Sequence, residues 1–470
     1  MRKTKIVCTI GPASESEEIL TGLCLAGMNV ARLNFSHSTY EEHQRRIDMI
    51  KRVREKLELP IAIMLDTKGP EYRIKTFEAG KITLSDGDPF TFTTEDVVGN
   101  EKKVSVSYPR LTQDLAEGDT ILLNNGLLSF LVESIDGPDI HCRVLCGGEL
   151  SDRKSMSFPG KVMKQTYLSE QDKKDIRFGL ENGVDYIACS FVSCKQDLID
   201  VHEYLDELDT EHVELIAKIE NQSGVDNIEE ICQYCDGIMV ARGDMGVEIP
   251  FEHLPAIQKM LITKCRLLGK RVITATEMLE SMIHNARPTR AEISDIANAV
   301  YDGTSAIMLS GETAAGKYPI QAVKTMAKIA ETTESTINYK KRFYTADFHI
   351  KNAVDAVSHA TCAMAIDIGA KTIVACSLSG MTARMVSRFR APVDIIGLTT
   401  DETTWRRLAM SWGVIPAMCE KFTSTDVLFY TAKKIAQKAL SLEKGDKLVI
   451  TGGDTTGRSG NTNIIKIEDI

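Results

Sequence analysis

Eight short apolar runs recur along the chain, and the segments between them carry helical periodicity. Within each run the apolar residues are continuous instead of alternating with polar ones, which is typical of strands that are covered on both faces. Strands that alternate with helices in this way predict an α/β protein built on a closed (β/α)8 barrel, also called a TIM barrel. The runs are Ile6–Ile10, Val30–Leu33, Ile61–Leu65, Tyr186–Cys189, Val213–Ile219, Ile238–Ala241, Val272–Ala275 and Ala306–Leu309.

One connection, between the third and the fourth run, is too long to be a structureless loop. It contains turn signals such as Asp86-Gly87 and β-rich segments such as Pro89–Thr94 and Thr120–Asn124. We expect an inserted domain here, a small β-barrel that lies over the mouth of the larger barrel and acts as a lid.

A second α/β domain is expected after about Tyr344, where the pattern resets with a helix over Val354–Ile368. Its expected strands are Thr372–Cys376, Val393–Leu398, Gly413–Ala417, Lys447–Thr451 and Ile464–Ile467. The pattern therefore divides the chain into barrel residues 1–69, lid residues 70–168, barrel residues 169–344 and a C-terminal α/β domain, residues 345–470.

The composition is that of a soluble globular protein with several domains. Of the 470 residues, 43% are hydrophobic and 26% are charged, and the net charge is −10. No basic stretch is long or rich in aromatic residues, which argues against nucleic-acid binding. No run approaches the roughly 20 apolar residues of a membrane span, and the first apolar run stops at Gly11-Pro12, too early for a signal peptide. We expect a cytoplasmic protein that binds no membrane.

The 12 cysteines lack the spacing of a disulfide framework. Cys232-Gln-Tyr-Cys235 matches the C-x-x-C pattern, but no second pair or nearby histidine completes a zinc site. This pair falls in a stretch with a helical pattern instead of a redox turn. We expect ordinary, mostly buried thiols.

Charged and polar residues follow nearly every apolar run, and barrel active sites are built at the carboxyl ends of the strands. Lys218 and Glu220 close the fifth run, and because alternate residues of a strand share a face, their side chains project together. A cation beside a carboxylate is suited to holding a metal ion and an anionic ligand. The strand-end residues are Arg32, Asn34, Asp66, Lys68, Ser190, Lys218, Glu220, Arg242, Asp244, Thr274, Thr276, Ser310 and Glu312.

Seven motifs, in order along the chain, resemble those of the pyruvate kinase family. The resemblance covers essentially the whole chain. The chain is similar to the bacterial single-chain form of this family, without an extra C-terminal domain. The motifs are Met28-Asn-Val-Ala-Arg-Leu-Asn-Phe-Ser-His37, Leu65-Asp-Thr-Lys-Gly-Pro-Glu71, Lys218-Ile-Glu-Asn221, Met239-Val-Ala-Arg-Gly-Asp-Met-Gly246, Thr274-Ala-Thr-Glu-Met-Leu279, Arg287-Pro-Thr-Arg-Ala-Glu292 and Met308-Leu-Ser-Gly-Glu-Thr313.

The resemblance implies transfer of the phosphoryl group of phosphoenolpyruvate to ADP, which gives pyruvate and ATP. It makes Glu220 and Asp244 the ligands of Mg²⁺, an ion that prefers oxygen donors. Lys218 matches the residue that stabilises the transferring phosphoryl group, and Arg32 matches a contact to the substrate phosphate.

Two further assignments concern the rest of the substrate. The backbone N–H groups of Gly243 and Asp244 are expected to open a short helix and to bind the substrate carboxylate. Thr276 resembles the residue that assists protonation of the enolate left after transfer, and we expect it to act through water.

The resemblance also implies a K⁺ site and a nucleotide site. Glu71 is typical of potassium-dependent members, whereas a lysine at this position would replace the charge of the ion. Arg73 and Lys154 match the cations that contact the nucleotide phosphates. An alternative interpretation makes two of the four residues that match potassium ligands, Asn34 and Ser36, ordinary turn residues. The four ligands match Asn34, Ser36, Asp66 and Thr67.

The C-terminal domain carries a hydroxyl-rich loop before a helix that we expect over Ala383–Arg390. Hydroxyls and free N–H groups at a helix start can bind phosphate. In the family this position binds an effector such as fructose 1,6-bisphosphate, and the loop Gly452–Gly460, with Arg458, is expected to face it. An ordinary N-cap loop is the alternative, and the effector is either a phosphorylated sugar or a nucleotide. The expected contacts are Ser377, Ser379, Gly380 and Thr382.

Several residues depart from the family pattern. Ser38 replaces a usual glycine and Ala286 a usual proline, and we expect both changes to be structural. Glu277 replaces a frequent glutamine beside Thr276, where it can alter the water that relays the proton. Gln165-Thr-Tyr-Leu168 replaces Leu-Pro-Ala-Leu at the return from the lid to the barrel, where it bears on the hinge.

The leading hypothesis is an Mg²⁺- and K⁺-dependent homotetramer under allosteric control. One alternative is a catalytically silent relative that senses metabolites through its last domain, but intact Lys218, Glu220, Asp244, Arg32 and Thr276 argue against it. Another is a metal-dependent aldolase or mutase on the same barrel, which the nucleotide-side cations and the lid disfavour.

Overall fold

The computed structural model describes residues 1–161, 163–209, 213–422, 424–453 and 462–470. Eight parallel strands form a closed barrel in which each strand pairs with the next along the chain and the first pairs with the eighth. The predicted barrel is confirmed, and each predicted run matches a strand to within one residue at either end. In chain order the strands are Lys5–Thr9, Val30–Asn34, Ala62–Asp66, Tyr186–Cys189, Glu214–Ile219, Gly237–Ala241, Arg271–Ala275 and Ala306–Leu309.

Helices surround the barrel and bury their apolar faces against the strands, which forms the main hydrophobic core. The helix after the seventh strand begins with a capping box between Thr289 and Glu292. The helices are Glu17–Ala26, Tyr40–Leu57, Glu170–Glu181, Lys195–Glu207, Gln222–Asp226, Ile228–Ile231, Arg242–Glu248, Leu254–Leu267, Arg290–Asp302, Gly311–Ala314, Pro319–Thr336 and Tyr339–Thr345, with 3₁₀ turns at Phe251–His253 and Glu280–Ile283.

The insertion between the third and fourth strands is β-rich, as predicted. A seven-stranded sheet and a two-stranded sheet share one core, in which Phe90, Phe92 and Phe130 pack edge to face or tilted. Its strands are Tyr72–Arg73, Lys81–Leu84, Pro89–Thr93, Lys103–Ser105, Thr120–Leu123, Leu128–Asp136, Asp139–Cys146, Gly148–Ser151 and Ser155–Ser157, and a short helix spans Leu111–Asp114.

The C-terminal domain is the predicted α/β unit, with four parallel strands and an antiparallel edge strand. The helix predicted over Ala383–Arg390 has the wrong bounds, because it spans Met381–Ser387 and Arg390 adopts a left-handed φ of 52°. The strands are Thr372–Cys376, Asp394–Thr399, Val414–Met418, Lys447–Gly452 and Ile464–Asp469; the other helices are Ala353–Asp367, Glu402–Leu408 and Thr425–Leu440.

The C-terminal domain packs against the amino-terminal end of the barrel. Arg384 of this domain pairs with Glu214 and Asp236, at 3.0 Å each, and Arg406 pairs with Asp185 at 2.9 Å. The three carboxylates begin or directly precede barrel strands. The opposite face of the barrel, at the carboxyl ends of the strands, is left for the inserted domain.

All 12 cysteines are free, and most are buried, as predicted. The helical placement of the C-x-x-C pair is wrong, because the helix ends at Ile231 and the pair lies in the turn that follows. The sulfur atoms of Cys232 and Cys265 are 3.6 Å apart. Within the described ranges, no helix of the protein is long and apolar enough to span a membrane.

Candidate active site

The ammonium group of Lys218 is the centre of a buried cluster at the end of the fifth strand. Its Nζ lies 3.0 Å from Oδ1 of Asp66 and 3.1 Å from Oε1 of Glu220, and it donates to the Ser190 hydroxyl at 2.7 Å. Burial alone would lower the pKa of Lys218, but the two carboxylates outweigh burial and raise this pKa above its usual value. The ammonium group therefore stays charged.

Asp66 joins Lys218 to a second cation. Its Oδ2 accepts a hydrogen bond from Nε of Arg32 at 2.6 Å, and Nη1 of Arg32 donates to the Thr9 hydroxyl at 2.9 Å. Burial raises the pKa of Asp66, but Arg32 and Lys218 outweigh burial and hold this pKa below its usual value. Two cations fixed by one carboxylate suit a multiply charged anion such as phosphate.

The two carboxylate oxygens of Glu220, which is fully buried, have different surroundings. Oε2 accepts a hydrogen bond from the backbone N–H of Phe191 at 2.6 Å. Oε1 is ion-paired with Lys218 but, among the described residues, receives no bond with hydrogen-bond geometry. Burial, opposed by Lys218 and reinforced by the charge of Asp244, raises the pKa of Glu220 to about 7. One oxygen is therefore open to a further cation.

Asp244 faces the same cluster from the helix Arg242–Glu248. Its charge contributes to raising the pKa of both Lys218 and Glu220, as expected of a nearby carboxylate. Two such carboxylates fit an ion with oxygen ligands, such as Mg²⁺. In the described part of the chain no group of three or more His, Cys, Asp or Glu side chains is placed to hold a metal. The carboxylates of Glu220 and Asp244 therefore act on this cluster as a pair.

Thr276 follows the seventh strand with a left-handed φ of 67°, and Glu277 follows it at 54°. Such conformations cost free energy in residues other than glycine and persist only where the surroundings hold them. The Thr276 hydroxyl accepts a hydrogen bond from the N–H of Gly243 at 2.8 Å and donates to the carbonyl of Ala275 at 2.6 Å. Thr276 is thereby joined to the helix start that carries Asp244.

The residues predicted to bind K⁺ are brought together at the ends of the second and third strands. Asn34 and Asp66 are directly paired across these strands, and Thr67 follows Asp66. Oδ1 of Asn34 accepts a hydrogen bond from the N–H of Ser36 at 3.1 Å, which is the contact of an Asx turn. Both interpretations of this pair, ion ligands and turn residues, are compatible with the geometry.

A cavity of about 340 Å³ lies between the inserted domain and the barrel. Glu71 and Arg73 line it from the inserted domain, and Asp244 lines it from the barrel. Glu71 forms ion pairs with Arg73 and, at 3.5 Å, with Lys68. Lys154 is not among the residues that line the cavity. Of the two predicted nucleotide contacts, only Arg73 therefore lines this cavity.

The predicted effector loop connects a strand of the C-terminal domain to the helix that begins at Met381. Gly380 precedes this helix with φ 76°, a conformation that suits glycine. The hydroxyl of Thr382 is buried and hydrogen-bonded to the hydroxyl of Thr462 at 2.7 Å. The facing loop predicted around Arg458 lies outside the described residues.

Comparison with known proteins assigns the chain to a family. The family model for the barrel domain of pyruvate kinase matches residues 1–323, and the model for its alpha/beta domain matches residues 355–468. The chain belongs to the pyruvate kinase family. The activity of this family is the conversion of phosphoenolpyruvate and ADP to pyruvate and ATP, so the predicted phosphotransferase is confirmed.

Individual relatives agree with this assignment. A pyruvate kinase of Clostridium acetobutylicum is 47% identical over 470 residues, which cover 100% of this chain and 99% of that protein. A pyruvate kinase of Geobacillus stearothermophilus is 46% identical over 472 residues, covering 100% of this chain and 80% of that protein. The crystal structure of a pyruvate kinase from Cryptosporidium parvum matches with a TM-score of 0.94 at 36% identity, covering 100% of this chain and 96% of that one.

Three residues of this pyruvate kinase site received no role from the sequence. The sequence indicates Ser190 and Arg242 only as strand-end residues, and none of the seven motifs contains Thr9. Arg242 donates to the carbonyl of Thr276 and pairs with Asp295 at 2.7 Å, which supports the strained turn after the seventh strand. Their position at strand ends was the only available signal, because their partners are distant in the chain.

Proposed function

We propose that the chain transfers the phosphoryl group of phosphoenolpyruvate to ADP, giving pyruvate and ATP in the last step of glycolysis. The observation that carries this proposal is the buried cluster in which Nζ of Lys218 lies 3.0 Å from Asp66 and 3.1 Å from Glu220. Membership of the pyruvate kinase family supports the same reaction. Phosphoryl transfer depends on positioned cations more than on covalent chemistry, and this cluster supplies them.

Glu220 and Asp244 would hold Mg²⁺ through carboxylate oxygens. When bound, Mg²⁺ neutralises charge on the substrate as the phosphoryl group moves. The N–H of Phe191 holds Oε2 of Glu220 and leaves Oε1 for the ion. Burial and the charge of Asp244 raise the pKa of Glu220 despite its ion pair with Lys218, so one ammonium group does not balance these carboxylates, which supports a site for a further cation.

The remaining roles fall to side chains around the same face. The ammonium group of Lys218 stabilises the negative charge of the transferring phosphoryl group, and the planar guanidinium of Arg32 binds the phosphate. The N–H groups of Gly243 and Asp244 bind the substrate carboxylate, which would take over the N–H of Gly243 from the Thr276 hydroxyl that accepts it in the structure. Thr276 assists protonation of the enolate carbon through water, because a hydroxyl is too weak an acid to act alone.

K⁺ and the nucleotide complete the proposed site. Glu71 leaves the positive charge to K⁺, as in potassium-dependent members of the family. Residues 70–168 close over the cavity as a lid between barrel residues 1–69 and 169–344, and water is thereby excluded. The proposed K⁺ ligands are Asn34, Ser36, Asp66 and Thr67, and the proposed contacts to nucleotide phosphates are Arg73 and Lys154.

On the family resemblance we also propose a cytoplasmic homotetramer. Its C-terminal domain, residues 345–470, would bind a phosphorylated sugar or nucleotide and activate the enzyme. A catalytically silent sensor is not favoured, because Arg32, Lys218 and Glu220 are all present and in contact with one cluster. The proposed effector contacts are Ser377, Ser379, Gly380 and Thr382.

A coupled assay of pyruvate formation tests this proposal. The purified protein receives phosphoenolpyruvate and ADP, with and without Mg²⁺, K⁺ and candidate sugar phosphates, and lactate dehydrogenase reports pyruvate through NADH oxidation. We expect pyruvate to form only with Mg²⁺ and to form faster with K⁺. Absence of pyruvate with both ions and both substrates present would contradict the proposed reaction.

A further inference from the structure

Tyr167 lies on the segment that returns from the lid to the barrel, and the reaction described above gives it no role. Its ring is buried in the barrel core with 6% of its surface exposed, and its hydroxyl donates to the carbonyl of Ser190 at 2.6 Å. Burial raises the pKa of the phenol well above its usual value, so the group remains a donor. Tyr167 also lines the cavity between the lid and the barrel.

The carbonyl that Tyr167 binds belongs to the same peptide group as the N–H that holds Glu220. This peptide joins Ser190 to Phe191, and its N–H donates to Oε2 of Glu220 at 2.6 Å. Hydrogen bonds at the two ends of one peptide group polarise each other and fix its plane. A single peptide group therefore connects Tyr167 to Glu220.

This peptide group requires support, because Phe191 adopts a left-handed φ of 57°. That conformation is strained for a bulky residue, and rotation of the peptide would relieve the strain. The same rotation would withdraw the N–H from Glu220, and the hydroxyl of Tyr167 opposes it by holding the carbonyl. The hydroxyl of Ser190 also accepts a hydrogen bond from Lys218, so this turn contacts both Lys218 and Glu220.

A buried tyrosine often serves only to satisfy a backbone carbonyl, and Tyr204 is such a residue in this chain. Its ring is 7% exposed, and its hydroxyl donates to the carbonyl of Lys173 at 2.9 Å. Lys173 lies inside the helix Glu170–Glu181, which already fixes its peptide group. Tyr167 differs because its peptide group lies in a strained turn and binds a carboxylate at the other end.

We propose that Tyr167 is a positioning residue for the divalent-ion site. It holds the Ser190–Phe191 peptide so that Oε2 of Glu220 stays bonded and Oε1 stays available to the ion. The inference rests on the proposed function, in which Glu220 is a metal ligand. Because Tyr167 belongs to the return segment of the lid, it also joins the position of the lid to the geometry of the ion site.

The test measures Mn²⁺ binding without substrates, from the electron paramagnetic resonance signal of the free ion, in the full-length protein. Tyr167→Phe removes only the hydroxyl, and we expect it to bind Mn²⁺ roughly 10-fold more weakly, as is typical when a contact that orients a metal ligand is lost. Tyr204→Phe removes the matched hydroxyl and should bind as the wild type does. Glu220→Gln removes a proposed ligand, so the Mn²⁺ binding that this variant loses is the binding at this site.

Equal Mn²⁺ affinity in the wild type and Tyr167→Phe would overturn the inference, and so would an equal loss in Tyr204→Phe. Thermal melting checks that each variant is folded. If Tyr167→Phe does not fold, Tyr167→Met, which also lacks a donor, replaces it with the same expectation. Failure of the proposed function is distinguishable, because the wild type would then form no pyruvate or bind no Mn²⁺ that depends on Glu220.

Discussion

Lys218 and Glu220 lie side by side at the end of the fifth barrel strand, with Nζ of the lysine 3.1 Å from Oε1 of the glutamate. The pairing follows from strand geometry, because residues two apart project from the same face. It is not an isolated ion pair, since Asp66 also contacts Lys218 and the charge of Asp244 acts on both. Each charge has more than one neighbour, so a metal ion and a phosphate can enter without leaving a buried charge unpaired.

Thr276→Ala should lower kcat by roughly 100-fold, the lower range for a lost general acid or base, and change KM for phosphoenolpyruvate less. The hydroxyl contacts the Gly243 N–H and the Ala275 carbonyl, so its loss removes the proton relay and loosens the helix start. Thr276→Ser keeps the hydroxyl and is the matched control. Steady-state kinetics decide, and wild-type kcat in the alanine variant would remove the assigned role.

Glu71→Lys should relax the requirement for K⁺, because the new ammonium group supplies the charge that the ion otherwise brings. Glu71→Gln is the control, since it removes the carboxylate without adding a cation and should leave activity dependent on K⁺. Both variants lose the ion pairs with Lys68 and Arg73, so the comparison isolates the added charge. Activity is measured against K⁺ concentration, and superimposable curves for the wild type and Glu71→Lys would contradict the assignment.

The double variant Ser379→Ala, Thr382→Ala should flatten activation by fructose 1,6-bisphosphate. The Thr382 hydroxyl bonds to Thr462, so its loss disturbs the junction between the loop and the last strand as well as the proposed phosphate contact. Thr361→Ala removes a comparable hydroxyl, which donates to the carbonyl of Val357 within a helix. The effector should activate this variant as it activates the wild type. Initial rates are recorded over a range of effector concentrations. An unchanged activation curve in the double variant would refute this placement of the effector.

Lys5 should make stability depend on pH. Burial lowers its pKa from 10.5 to about 7, and its Nζ donates to the carbonyl of Val414 at 2.7 Å. Between pH 7 and 10.5 the unfolded chain binds this proton and the folded chain does not, so stability rises with pH, by at most about 1.4 kcal/mol per pH unit.

Lys5→Met removes this contribution to the pH dependence. The free energy of unfolding of Lys5→Met minus that of the wild type, measured in urea, should therefore be larger at pH 7 than at pH 9. Lys340→Met, at an exposed lysine, should show no such difference. A constant stability difference between Lys5→Met and the wild type at the two pH values would mean that Lys5 is charged throughout.

The barrel was predictable because its strands are buried on both faces and therefore appear as continuous apolar runs. The same argument placed Lys218 and Glu220 together, since strand alternation needs no knowledge of distant residues. The regulatory roles and the ion ligands came from the family resemblance instead. They remain predictions here, because the contacts of Asn34 and Ser36, for example, fit a turn as well as an ion site.

Contacts to backbone groups could not be predicted, because a carbonyl leaves no pattern in the sequence. The hydrogen bond from Tyr167 to the carbonyl of Ser190 is one such contact. The sequence indicates only that the segment around Tyr167 departs from the family pattern. Ser38 shows a different contact that the sequence does not predict, between two side chains: where the family resemblance leads us to expect glycine, Ser38 has a left-handed φ of 78°, and its hydroxyl accepts a hydrogen bond from Arg46 at 2.8 Å. Such compensation depends on which helix face meets the turn.

Single-turnover formation of ATP from phosphoenolpyruvate and ADP by Lys218→Met tests the central claim most directly. The account predicts a rate lowered by roughly 1,000-fold, as for loss of a main stabilising group in the transition state, with phosphoenolpyruvate still bound. Lys195→Met, at an exposed lysine paired with Glu230, should match the wild type. Formation of ATP by Lys218→Met at the wild-type rate would contradict the account.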